Sequence, residues 1–115
     1  MSVALADKHC KPCEGGVEPL SPGKAEGYLA EVHADWSLAS DGRAIRRRVS
    51  FPAYSRTLAF ANAVAWIAIR EGHHPELVVT YDYCDVIWTT FAIGGLSEND
   101  FICAAKTDRL VEAAE

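Results

Sequence analysis

Between residues 54 and 71, apolar side chains recur at helical spacing. Phe60, Val64, Ile67 and Ala68 form a stripe that Leu58, Ala61 and Ala65 widen, and Gly72 stands where such a helix can stop. The pattern predicts a long core helix. Further upstream, Ser21-Pro22 supplies a helix start, because a serine oxygen can accept from a free N–H at the N-cap and proline at the first helical position lacks only an N–H that has no partner there. A first helix over residues 22–32 would bury Tyr28, Leu29 and Val32. Two β-prone runs, residues 36–39 and 45–51, flank Ser40-Asp41-Gly42-Arg43, and Asp-Gly between such runs is a hairpin signal. In the second run Ile45, Arg47, Val49 and Phe51 share one face, and Arg46, Arg48 and Ser50 share the other. The basic run is expected to be a solvated strand face rather than an anion-binding patch.

After His73-His74-Pro75 come two more β-prone runs, residues 77–81 and 85–91, joined by Asp82-Tyr83-Cys84. Gly94-Gly95 then breaks the chain. Ser97 with Asp100 three positions on resembles a capping box and opens a last helix to about residue 114, with Phe101, Ala104, Ala105, Leu110 and Val111 on its apolar side. The element order is α-β-β-α-β-β-α. Neighbouring strands lack the spacing of a crossover, so the fold class is α+β: a four-stranded antiparallel sheet with three helices on one face. Residues 1–20 show no apolar periodicity and carry Pro12, Gly15, Gly16 and Pro19, which predicts an irregular arm.

Composition narrows the function classes. At 115 residues the chain is expected to be one domain, residues 1–115, able to bury roughly two-thirds of its unfolded surface without metals or disulfides. Its net charge of -5 argues against nucleic acid as a partner, since affinity for a polyanion comes from neutralising phosphates. The longest uncharged stretch, between Arg56 and Arg70, is shorter than the ~20 apolar residues that span a bilayer, so no membrane partner is expected. Residues 1–8 show neither a basic start nor an apolar run. Four cysteines without an export signal then read as reduced thiols in the cytoplasm.

The sharpest local feature is Gly72-His73-His74-Pro75. Two imidazoles at a helix exit, with a proline that biases the residue before it away from helix, can move protons or contact a ligand near neutral pH. They can equally be a surface pair complementing the helix dipole. The surrounding segments decide between the two. Glu71-Gly-His-His-Pro-Glu-Leu, Tyr81, Thr89-Thr90 and the run from Gly94 to Phe101 resemble the pterin-4a-carbinolamine dehydratase family, as do Phe60-Ala-Asn-Ala-Val, Ala104-Ala-Lys-Thr-Asp and, in bacterial members, His9-Cys10-Lys-Pro-Cys13-Glu-Gly-Gly.

The resemblance implies loss of water from a 4a-hydroxytetrahydropterin to give the quinonoid dihydropterin. The pterin is then the substrate, no cofactor or metal is required, and the chain is a homodimer or homotetramer. Such a step needs an acid for the departing hydroxyl and a base for the N5 proton. By resemblance His73 is the proton-transferring residue, His74 and Pro75 contact the pterin, Tyr81 is the aromatic that follows them and Asp100 is the supporting acid. Thr90, Phe91, Ala92 and Ile93 are expected opposite the histidines, completing the substrate-binding set.

Two positions depart from the family pattern. Phe91 stands where the family carries a further histidine or a tryptophan, and Ile69 stands where it favours a charged residue, a role Glu71 could fill if the helix exit were shifted. A missing acid–base group costs ~10²–10⁴ in rate, so Phe91 implies attenuated turnover. The alternative is a dehydratase-like binding or assembly module without catalysis, because fold does not fix activity. Cys10-x-x-Cys13 reads first as structural, then as part of a metal site short of a ligand, then as a redox pair. The three tryptophans read as core, and Cys84 and Cys103 as small buried hydrophobes.

Overall fold

Local signals place most element boundaries in the computed structural model, which describes residues 4–12 and 17–114. Helix α1 (Pro22–Leu29) starts with Ser21 Oγ accepting from the Lys24 N–H at 3.4 Å and proline at its first position. It ends before the expected Val32, because the N–H groups of Glu31 and Val32 bond three residues back, to Tyr28 and Leu29, and tighten the last turn. Strand β1 (Ser37–Leu38) and β2 (Ile45–Ser50) form the expected hairpin, in which Asp41 Oδ1 accepts from the Arg43 N–H at 2.9 Å.

Helix α2 (Tyr54–Glu71) spans the predicted residues and buries Thr57, Phe60, Ala61, Val64 and Ala68. Gly72 adopts φ 64°, a left-handed conformation in which a side chain would be strained, and this is what stops the helix. Strands β3 (Glu76–Val79) and β4 (Tyr83–Trp88) follow, and helix α3 (Glu98–Ala114) closes the fold. The sheet order is β1-β2-β4-β3, antiparallel throughout.

Register explains the core. Ile45, Arg47 and Val49 pair with Trp88, Val86 and Cys84, and this face of the sheet lies under α2 and α3. Trp88, Ile45 and Val86 are completely buried there against Val64, Phe101 and Ile102. Each such large apolar side chain contributes about 1.5–3 kcal/mol by leaving water. Among the described residues no helix is long and apolar enough to cross a membrane.

Three expectations need correction. The basic run is not simply a solvated face: Arg47 points inward, is buried, and pairs with Asp108 Oδ1 at 2.5 Å. On the open face Arg46 and Arg48 converge on Asp85, which they cover so completely that it is 2% exposed. Trp66, unlike Trp36 and Trp88, is 61% exposed. It lies two positions from both Val64 and Ala68, about 200° around the helix from each. Strand β4 ends at Trp88 rather than Phe91, because Thr90 bridges to Gly95 and the intervening Phe91–Ile93 forms a 3-10 turn.

Candidate functional site

The left-handed turn at Gly72 sets the position of the two histidines. The Gly72 and His73 N–H groups both return to the Ala68 carbonyl, so the chain doubles back over the end of α2 before Pro75 leads it into β3. His73 is thereby laid flat against Trp88, with ring centroids 5.6 Å apart and planes within 9°. Its Nε2 lies 2.6 Å from Asp100 Oδ1.

Asp100 is completely buried in the first turn of α3, where a carboxylate is favoured by the helix dipole. Its second oxygen accepts from the Ser97 N–H at 2.9 Å, the reciprocal bond of a capping box, and from Thr90 Oγ1 at 2.8 Å. Thr90 Oγ1 in turn lies 2.8 Å from Ser97 Oγ. With Asp100 ionised its oxygens only accept, and in that state His73 Nε2 is the donor of the pair and Nδ1 is left as the ring's acceptor.

Above this pair opens a cavity of about 360 Å³, large enough for a bicyclic heteroaromatic ligand. Its walls come from four places: the arm (Cys10, Lys11, Pro12), the α2 exit (Glu71 to His74), the β4 exit (Thr89 to Ala92), and Asn99 of α3. The structure thus brings His73, His74, Thr90, Phe91 and Ala92 together around one space. Asp100 reaches it through His73. Phe91 is 77% exposed at the rim, and Ile69, 73% exposed, is not among the lining residues.

Pro75 and Ile93 flank the cavity without lining it. Tyr81 lies elsewhere, in the turn between β3 and β4, where its carbonyl accepts from Thr57 Oγ1. Thr57 is fifteen residues up α2 from Gly72, roughly 22 Å along the helix axis, so Tyr81 belongs to the opposite end of the sheet from the histidines.

The sequence reading missed the arm as a wall, and with it Lys11, Pro12 and Asn99. Asn99 grips the Lys11 backbone at both ends, accepting from its N–H at 3.0 Å and donating to its carbonyl at 2.6 Å. Glu71 holds the next peptide, its Oε1 accepting from the Cys10 N–H at 2.7 Å while Oε2 lies 3.1 Å from His9 Nδ1. Burial pushes the Glu71 carboxyl up, but the Cys10 N–H, His9 and Lys106 outweigh it and hold the group below the usual carboxylate range. Glu71 is therefore a clamp on the arm and also places a carboxylate in the cavity wall, which Ile69 does not reach. The only sequence signal for this wall was the likeness of the His9–Gly16 segment to bacterial family members. Cys13 lies outside the described residues, and among those described no His, Cys, Asp and Glu side chains group as metal ligands.

Comparison with known proteins gives this geometry a context. A protein of Nitrosomonas eutropha provisionally named pterin-4-alpha-carbinolamine dehydratase is 57% identical over 107 residues, covering 93% of each chain. A Legionella pneumophila protein with the same provisional name is 45% identical over 111 residues, covering 96% of this chain and 98% of its own. Among solved structures, the transcriptional coactivator/pterin dehydratase of Brucella melitensis superposes with a TM-score of 0.76 at 26% identity, over 81% of this chain and 98% of that one. A pterin dehydratase-like protein identified as a RuBisCO assembly factor in the alpha-carboxysome shares the fold, with a TM-score of 0.58 at 24% identity over 68% of this chain and 90% of its own. The family model for pterin 4 alpha carbinolamine dehydratase matches residues 18–110, and the chain belongs to that family.

Proposed function

We propose that the cavity dehydrates a 4a-hydroxytetrahydropterin. The observation that carries this reading is His73 in the cavity lining, its Nε2 2.6 Å from the buried Asp100 and its ring stacked on Trp88. The reaction breaks the C4a–oxygen bond, releases the hydroxyl as water once it is protonated, and removes the N5 proton. Proton in and proton out balance, so the pterin enters as substrate and no further cofactor is needed. His73 Nδ1 is the acceptor suited to take a proton, and Asp100 stabilises the imidazolium that results. His74 at the mouth positions the ring system, and Phe91 offers an aromatic face for stacking but no proton path.

The same reading makes the protein a cytoplasmic homo-oligomer. From sequence an exposed edge strand and the last helix are expected to pair between copies, but Phe101 and Ile102 of α3 are buried within the chain while Tyr54, Leu58, Trp66 and Ile69 expose apolar surface on α2, so α2 takes the place of the last helix beside the sheet edges in this proposal. Light scattering that gives a monomer mass at micromolar concentration would remove this part of the proposal.

Stopped-flow dehydration of a 4a-hydroxytetrahydropterin, with and without the protein, tests the activity. Acceleration that disappears in His73→Ala supports it. Equal rates for wild type, His73→Ala and no protein would leave a binding or assembly module on the same fold.

A further inference from the structure

The arm carries chemistry that a dehydration step does not use. Cys10 Sγ lies 3.5 Å from Cys103 Sγ, across 93 residues of sequence, and both are free thiols. The two sulfurs differ in access. Cys103 is completely buried on α3, and its bond to Cys10 together with burial pushes its thiol far above the ordinary range. Cys10 is half-buried and lines the cavity, where a small solute can reach it. Neither sulfur needs the other to stay close. Glu71 and Asn99 fix the Cys10 and Lys11 peptides through three hydrogen bonds of 2.6 to 3.0 Å, delivering one thiol to the other.

We propose that Cys10 and Cys103 are a peroxide-sensitive thiol pair that closes into a disulfide, stapling the arm to α3 at the cavity wall. In the first step the Cys10 sulfur attacks a peroxide oxygen: an S–O bond forms, the O–O bond breaks, and one water leaves. In the second, Cys103 sulfur attacks the sulfenic sulfur, the S–S bond forms, and the hydroxyl departs with the Cys103 proton as a second water. Two thiols are oxidised by two electrons and one hydrogen peroxide is reduced. Moving from contact to a bond of about 2.05 Å requires an approach of about 1.5 Å, within reach of a side-chain rotation on an arm that lacks regular structure at this point.

The test uses the reduced full-length protein exposed to hydrogen peroxide, with free thiols then blocked by iodoacetamide. The expected result is a mass loss of about 2 Da before blocking, a peptide pair linking Cys10 to Cys103, and reversal by dithiothreitol. Because the crosslink closes a loop over most of the chain, Tm should rise by roughly 10 °C on oxidation. Cys13→Ser should form the same crosslink. Cys103→Ala, a small apolar replacement in a buried site, should lose it and let Cys10 proceed to sulfinic acid. A Cys10–Cys13 bond, a crosslink between two copies, or sulfinic acid at Cys10 of the wild type with Cys103 still free would each overturn the proposal. Mass and melting are read, not turnover, so the outcome stands apart from whether the cavity dehydrates a pterin.

Discussion

Asp108 and Asp100 sit on the same helix about two turns apart, both buried, and each gathers three donors. Asp108 takes Arg47 Nη1, Trp36 Nε1 and the His33 N–H, at 2.5, 2.8 and 2.9 Å. Asp100 takes His73 Nε2, Thr90 Oγ1 and the Ser97 N–H, at 2.6, 2.8 and 2.9 Å. The difference is in the strongest donor. A guanidinium stays protonated throughout the accessible pH range, so Asp108 can only brace β2 and the α1–β1 connection against α3. An imidazole gains and loses a proton near neutrality, so the same carboxylate geometry around Asp100 can support transfer. Burial alone therefore does not distinguish the two carboxylates; the kind of donor each one holds does.

The largest effect should come from breaking the brace. Asp108→Asn leaves the buried Arg47 charge with only the distant, exposed Asp35 carboxylate at 4.0 Å, a change that costs about 3 kcal/mol. Urea melts should record that loss, while dehydration per folded molecule stays near wild type. His73→Gln tests the other side of the comparison, because its amide can still donate to Asp100 but cannot act as a base. The rate should fall about 100-fold or more with the urea midpoint nearly unmoved. A parallel fall in stability would put His73 in the same class as Arg47.

Adding a titrating group is the next step down. Phe91→His places an imidazole at the rim, and stopped-flow rates should rise roughly tenfold if the missing proton path is what limits turnover. An unchanged rate with intact pterin binding would locate the limit elsewhere.

The smallest effect belongs to Asp85, a third carboxylate, on the open face of the sheet. Arg48 holds its carboxyl below the usual range and Arg46 adds to this against the opposing effect of burial. A carboxyl lowered on folding contributes stability that is complete above its unfolded value, about 3.9, and is lost as pH falls through that value towards the folded one. Because both arginines are half-exposed, the contribution is about 1 kcal/mol or less. Wild type should therefore lose slightly more stability than Asp85→Asn between about pH 5 and pH 2.5. Equal slopes in acid melts would remove Asp85 from the ledger of pH-sensitive contacts.

What could be read from sequence followed the range of the interaction. Helix α2 was legible from Tyr54 to Glu71 because its period and the Gly72 stop are local. The hairpin at Asp41-Gly42 and the start at Ser21-Pro22 were legible for the same reason. Placing His73 beside Asp100 came through family resemblance, since nothing within a few residues of either one announces the other. The brace at Asp108 was invisible: alternation put Arg47 on the inner face with Ile45 and Val49, but its partner lies 61 residues away. Tyr81 was drawn to the site by likeness in sequence order, although the length of β3 carries it to the far end of the sheet.

The arm has a kinetic consequence. Its bonds to Glu71 and Asn99 link positions 61 and 88 residues apart, so they close some of the longest loops in the chain, whereas α2 and the two hairpins form from near neighbours. Contacts that pay so much loop entropy form late, after the sheet and helices have met. The cavity wall is then absent from the folding transition state. Weakening it, as in Asn99→Ala, should leave the refolding limb of a chevron where it was and raise the unfolding limb, making the wall a determinant of how long the protein stays folded rather than how fast it folds.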